Sequence, residues 1–396
     1  MKEQLALLPD YLTAHIGLSL AALALGILLS VPLGIIVTRY RRLETPVVGA
    51  ASILQTIPSL ALLAFMVPAL AAMGARSIGY VPALIGLFLY SLLPILRNTV
   101  TGLSGLDPAV LEAARGVGMT SRESLFRVEL PLAMPVIIAG IRTSAVWTVG
   151  TATLSTPVGA PSLGNYIFGG LQIRNYTAVL IGCVASAALA LFVDACIRML
   201  AIGVERRRRR LVGIGLSAIA LLVGASLVPV VKAFRGRDEA VLTVGAKTFT
   251  ESYILANVVA QKVTRDTGIS ARILESLGST VVFDALVSGQ IDAYVDYSGT
   301  LWSTVLARGE PRPDRAGLLA EVASELDRKH GILLVVPLGF ENTYAIAMRR
   351  ADADRLGVRR LSDLAPHAEK LRAGGDYELF QRAEWQAITR TYGLSF

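Results

Sequence analysis

Six apolar runs, at residues 16–37, 47–73, 81–96, 131–154, 178–202 and 211–231, dictate most of what this chain can become. A helix needs roughly 17–25 apolar residues to cross a bilayer, and lipid offers backbone N–H and C=O groups no partner outside the helix itself. The sequence is 53% hydrophobic and 17% charged, with a mean hydropathy of +0.57, whereas soluble domains carry about one quarter charged residues. A multi-pass helical membrane protein is the first expectation. The second run is long and interrupted by Pro58 and Pro68. The third is short, so it is expected to tilt or to be partly shielded from lipid.

Charge sets the orientation. Arg39, Arg41 and Arg42 follow the first run, Arg97, Arg115, Arg122 and Arg127 lie between the third and fourth, and Arg206 to Arg210 lie between the fifth and sixth. Positive charge stays inside, and all three clusters fall inside when the N-terminus starts outside. Six crossings then return the chain to the outside after about residue 232. The net charge of +8 belongs wholly to the part before residue 240, with 20 Lys+Arg against 11 Asp+Glu; the rest has 18 against 19. Basic residues placed beside apolar runs anchor helices, so the partner they imply is the lipid bilayer and not nucleic acid. The run at 211–231 reads as a tether, and the polar stretch from Lys232 to Glu239 as a linker to an outside domain.

From Val241 the pattern changes to short strands alternating with amphipathic helices. Strands are expected at 241–245, 272–274, 291–297, 332–336 and 343–348, with helices at 251–264, 280–287 and 315–329. Such alternation implies a doubly wound α/β domain, which binds ligands at the carboxyl ends of its strands.

Between the third and fourth runs, Glu112-Ala113-Ala114 is followed by Gly118 and then by Val128-Glu129-Leu130-Pro131. Ala113 and Ala114 give a smooth helix face, Gly118 permits a tight bend, and Pro131 can start a helix where its missing N–H is harmless. This spacing resembles the cytoplasmic loop of ABC importer permeases, with Val128 where Ile is usual. The resemblance implies a type I permease fold of about six helices, and a helix–turn–helix at 105–131 that docks on an ATP-hydrolysing subunit through Glu112, Ala113, Ala114, Gly118, Leu130 and Pro131. It also implies a homodimer served by two copies of that ATPase.

Three further segments carry a second resemblance: Gly245-Ala-Lys-Thr-Phe-Thr-Glu251, Ser288-Gly-Gln-Ile-Asp-Ala-Tyr-Val-Asp-Tyr-Ser-Gly-Thr300, and Asn342-Thr-Tyr-Ala-Ile-Ala347. Together they resemble the glycine betaine/choline/carnitine-type substrate-binding proteins, a type II branch of the two-lobed periplasmic binding proteins. Ser298 replaces a usual Thr, and Ser252 a usual Gln. A trimethylammonium group has no N–H to donate but is drawn to aromatic faces by about 0.5–2 kcal/mol per ring. The resemblance implies Tyr297 and Tyr344 as cage walls, with Thr300 and Asn342 in polar contact. Lys247, Thr250 and Glu251 lie where a strand end meets a helix N-terminus, a place that favours anions. Tyr253 and Tyr294 are read as structural. The resemblance also implies that the second lobe is incomplete at Phe396.

The organisation expected is a permease domain over 1–204, a basic segment with tethering helix and linker over 205–239, and a binding domain over 240–396. Gly245-Ala-Lys-Thr lacks the preceding Gly of a phosphate-binding loop, so ATP hydrolysis is assigned to a partner chain and no catalytic residue is named. No cofactor or metal is expected, since Cys183, Cys196, His15, His330 and His367 have no ligand spacing. The two cysteines lie thirteen residues apart on one run, about 20 Å along a helix, beyond disulfide reach. No cleavable secretory signal is expected either. Inside the membrane, Asp194 and Arg198, four residues apart, can pair on one helix face near the cytoplasmic end, and Arg142 lies deeper. The function these features imply is import of glycine betaine, choline, carnitine or related quaternary ammonium solutes. A membrane-tethered receptor and an importer of another cationic or amino-acid solute are the alternatives.

Overall fold

The computed structural model describes residues 2–172, 174–235, 241–308, 314–342, 345–375, 379–380 and 383–396. It falls into two compact units, Met1–Val295 and Asp296–Phe396.

The first unit begins with ten helices: α1 (Lys2–Arg39), α2 (Glu44–Thr56), α3 (Ser59–Ala72), α4 (Tyr80–Ser104), α5 (Pro108–Gly116), α6 (Ser121–Ser124), α7 (Leu130–Ala152), α8 (Gly164–Gln172), α9 (Tyr176–Glu205) and α10 (Arg209–Arg235). Among the described residues five helices are long and apolar enough to cross a membrane, or six if the bent α2–α3 pair counts as one span. The second run is therefore not one straight crossing; α2 and α3 meet at 99°. Proline disfavours helical backbone in the residue before it, and Ile57, ahead of Pro58, is extended at φ −70°, ψ 127°. Pro68, inside α3, breaks nothing.

The helices pack through small residues, as helices do where lipid supplies no hydrophobic drive. A Cβ on Gly26 would stand 2.0 Å from Ser91 Oγ, and one on Gly140 2.6 Å from Asn98 Cβ. His15 is fully buried and ties three segments together: one ring nitrogen, Nε2, lies 2.9 Å from the Val149 carbonyl, and the Leu163 N–H donates to Nδ1 at 3.3 Å. Those contacts require the Nε2–H tautomer.

Behind α10 lies a small parallel sheet. Strands β1 (Val241–Lys247), β2 (Ser270–Leu277) and β3 (Ala293–Tyr294) are ordered β2-β1-β3, with α11 (Thr250–Thr267) and α12 (Ser279–Val287) as crossovers. The expected strand at 291–297 is cut to two residues. Gly245 lies opposite Leu274 but Lys247 opposite Leu277, so β2 carries an extra residue. This bulge falls at Glu275–Ser276, where Ser276 has φ 65°; bulges commonly re-aim side chains. One face of the lobe buries Val244, Ala246, Ala256 and Ala260. On the other, Leu277, Val281, Val282, Ala285 and Ile291 share an apolar cluster with Leu18, Leu63, Val67, Ile78, Leu87 and Val158 of the helical part. Gln290 adds polar fasteners: its Oε1 accepts from the Ile78 N–H and its Nε2 donates to Ser77 Oγ, both at 3.1 Å.

The second unit contains α13 (Ser298–Thr300), α14 (Arg315–His330), α15 (Arg350–Leu356) and α16 (Ala383–Tyr392), with a small core of Leu364, Ala368 and Leu394. The strand expected at 332–336 is absent, as is the described part, 345–348, of the one expected at 343–348. Leu333, Val335 and Val336 are exposed and lie in irregular chain. Apolar alternation becomes a strand only where a neighbour accepts its ladder, and no strand of this unit is found among the described residues. Residues 343–344, the start of the second of these, lie outside them.

Candidate functional site

The loop between α4 and α7 is built by local capping. Asp107 caps α5, its carboxylate accepting from the Ala109 N–H at 2.9 Å, with Pro108 at the first helical position. Glu112 and Ala113 face solvent, whereas Ala114 is buried and braces the helix from behind. Gly118 turns the chain at φ 80° and donates to the Arg115 carbonyl at 2.9 Å. Thr120 and Glu123 then form a reciprocal capping box that starts α6. Leu125–Glu129 winds as one π-helical stretch into Leu130 and Pro131 at the head of α7. Its last residue, Glu129, is nearly buried and accepts from Arg39 Nη2 at 2.8 and 2.7 Å and from Ser124 Oγ at 2.9 Å. The loop is thus fastened to the end of α1. Val117 and Phe126 stand 73% and 67% exposed on it, two apolar side chains in a charged loop that sequence reading passed over.

In the lobe, β1 ends at Lys247, whose N–H donates to Ser252 Oγ at 2.9 Å and whose ammonium lies 6.0 Å from the Tyr294 ring centre. Thr250 and Glu251 open α11, so the expected strand-end-to-helix junction is present, but Lys247 itself is buried. In the second unit Tyr297 leads into Thr300 on one short helical turn. Its ring meets Phe340 edge to face at 6.3 Å, and its hydroxyl accepts from Asn342 Nδ2 at 3.2 Å. Tyr297 and Asn342 are therefore brought together, and Phe340 joins them unforeseen. Tyr344 lies outside the described residues.

Inside the membrane the expected Asp194–Arg198 pair is replaced by a longer-range one. Arg142 on α7 grips Asp194 on α9 with two bonds, Nε to Oδ1 at 2.8 Å and Nη2 to Oδ2 at 2.9 Å. The planar guanidinium matches a carboxylate bidentately, while Arg198 acts on Asp194 through its charge.

Residues 30–206 match the family described as binding-protein-dependent transport system inner membrane component, and residues 240–396 the substrate binding domain of ABC-type glycine betaine transport system. The chain is 47% identical over 180 residues to the choline transport system permease protein OpuBB of Bacillus subtilis (strain 168), covering 46% of this chain and 80% of that protein. It is 46% identical over the same length to the glycine betaine/carnitine/choline transport system permease protein OpuCB of that organism, again covering 46% and 80%. Against the ergothioneine transport permease/ergothioneine binding protein EgtU of Helicobacter pylori (strain G27), identity is 29% over 355 residues, which is 87% of this chain and 62% of that protein. This chain belongs to the inner-membrane permease family of binding-protein-dependent transport systems, and carries a substrate-binding domain behind the permease as a fusion.

Proposed function

We propose that the chain takes up choline, glycine betaine, carnitine or a related quaternary ammonium solute as the permease and binding subunit of an ABC importer. Two copies form the pathway, and two copies of a separate ABC ATPase drive it and carry out the hydrolysis. The observation that carries this reading is one of placement. The binding lobe is packed against the same helices whose other ends hold the capped loop, through Leu277 and Gln290 on one side and the Arg39–Glu129 pair on the other.

In this reading Glu112 and Ala113 meet the ATPase together with Val117 and Phe126, Ala114 backs them, Gly118 sets the bend, and Leu130 and Pro131 pass the movement into α7. Tyr297, Phe340 and Tyr344 give aromatic faces to the cation, with Thr300 and Asn342 as polar contacts. Lys247, Thr250 and Glu251 offer a helix start to the solute's polar end. The match to the ergothioneine permease/binding protein runs through both parts of this chain, which favours ergothioneine as a second reading.

The test is ATP-dependent uptake of labelled choline, glycine betaine and ergothioneine, each measured separately, into proteoliposomes holding this chain and its ATPase. Saturable uptake of the quaternary solutes supports the first reading. Uptake of ergothioneine alone would replace it with the second, and specific binding with no uptake would favour a tethered receptor.

A further inference from the structure

The bulge in β2 leaves one group unexplained. Glu275 is half-buried, and its carboxylate has neither a hydrogen bond nor an ion pair among the described residues; burial raises its pKa above the ordinary range. A carboxylate taken out of water without a partner is costly, and Ser276, beside it, holds a backbone conformation that disfavours side chains. The surroundings are aromatic. Glu275 acts electrostatically on both Tyr11 and Tyr253, and Tyr11 feels Tyr166 and Tyr253 as well. The Tyr11 and Tyr166 rings stand at 84° to each other with centres 5.4 Å apart. Tyr253 is fixed by its hydroxyl, 2.8 Å from Ser276 Oγ. The other charge acting on Tyr11 is Asp10, also negative.

Tyr11 and Tyr166 come from the permease helices α1 and α8, while Tyr253 and Glu275 come from the binding lobe. Leu277, two residues beyond Glu275, is locked into the shared apolar cluster, and β2 packs against α8 and the turn at Thr153–Val158. The cluster therefore sits at the junction of the lobe and the permease helices. Rings set at right angles beside an unpaired carboxylate suit a cation that cannot donate an N–H bond.

We propose that Tyr11, Tyr166, Tyr253 and Glu275 form a transit site for the quaternary ammonium head at the junction of lobe and permease. This rests on the substrate class proposed above. Glu275 gives the site a charge preference. Choline, a net cation, gains from the carboxylate, whereas glycine betaine carries a carboxylate of its own that Glu275 repels.

The test uses the intact chain with its ATPase in proteoliposomes, comparing KM for choline and glycine betaine in wild type, Glu275→Gln and Tyr11→Leu. Glu275→Gln keeps shape and is expected to raise KM for choline about tenfold, with KM for glycine betaine unchanged or lower. Tyr11→Leu removes an aromatic face and is expected to raise both. An equal change for the two solutes with Glu275→Gln, or none for choline, would overturn the site while leaving the importer intact. If wild type moves neither solute, the substrate class itself fails and the transit site with it.

Discussion

Arg39 at the end of the first helix holds both carboxylate oxygens of Glu129, at 2.8 and 2.7 Å, and so bolts the loop between α4 and α7 to α1. Glu129 is nearly buried while Arg39 is almost half exposed. Removing the cation leaves a nearly buried carboxylate with only the Ser124 hydroxyl as partner among the described residues, a destabilising change. Arg39→Met is therefore expected to lower the thermal midpoint of the detergent-solubilised protein and to uncouple ATP hydrolysis from uptake. Equal uptake per ATP in the variant and wild type would show that the bolt has no part in coupling.

Gly118 separates backbone strain from crowding. A Cβ there meets nothing within 4 Å, so only its φ of 80° resists substitution. Left-handed backbone costs a non-glycine residue about 1–2 kcal/mol, so Gly118→Ala is expected to leave the fold intact and weaken ATPase association. A co-purification assay reads this directly. Gly140→Ala provides the contrast, since its Cβ would press to 2.7 Å from the Pro94 carbonyl oxygen; its loss is expected in stability and not in association.

Gln290 fastens the lobe to the permease through Ser77 and the Ile78 N–H. Each hydrogen bond is worth about 1 kcal/mol net, so Gln290→Leu is expected to loosen the lobe by about 2 kcal/mol. Hydrogen exchange in α12 (Ser279–Val287) should accelerate while α11 stays protected. Unchanged exchange in α12 would mean that the apolar cluster alone holds the lobe.

Glu325 on α14 supplies a pH dependence. Bonds from Lys329 and Arg328 hold its carboxyl down at about 2, below the ordinary 4.5 of a glutamate. The folded form keeps this group ionised where the unfolded chain has already taken up a proton. Its contribution is full above about pH 4.5 and drains away as pH falls toward 2. Protection of α14 (Arg315–His330) from hydrogen exchange should fall through that window, and Glu325→Gln should flatten the fall.

The permease was legible in the sequence because its determinants are local. Apolar run length, arginine placement and the Glu112–Pro131 spacing each act within a few helical turns, and capping residues such as Asp107 and Thr120 write the loop helices directly. The first lobe was readable for the same reason, since β1, α11, β2 and α12 follow one another as strand and crossover. The 332–336 strand was not, because the apolar residues that suggest it specify a strand only with a partner beside them.

What the sequence alone determined is the class of protein, its long apolar helices and the spacing of the loop between α4 and α7, all set by hydropathy and short-range chemistry. Only the tertiary structure decided which charges and rings meet. Arg142 chose Asp194 across two helices, not Arg198 along one, and Arg39 reached Glu129 ninety residues away. Tyr11, separated from Glu275 by most of the chain, came to share a junction with it. Contacts of that span depend on how helices pack and where a bulge turns a side chain, and no local pattern encodes them.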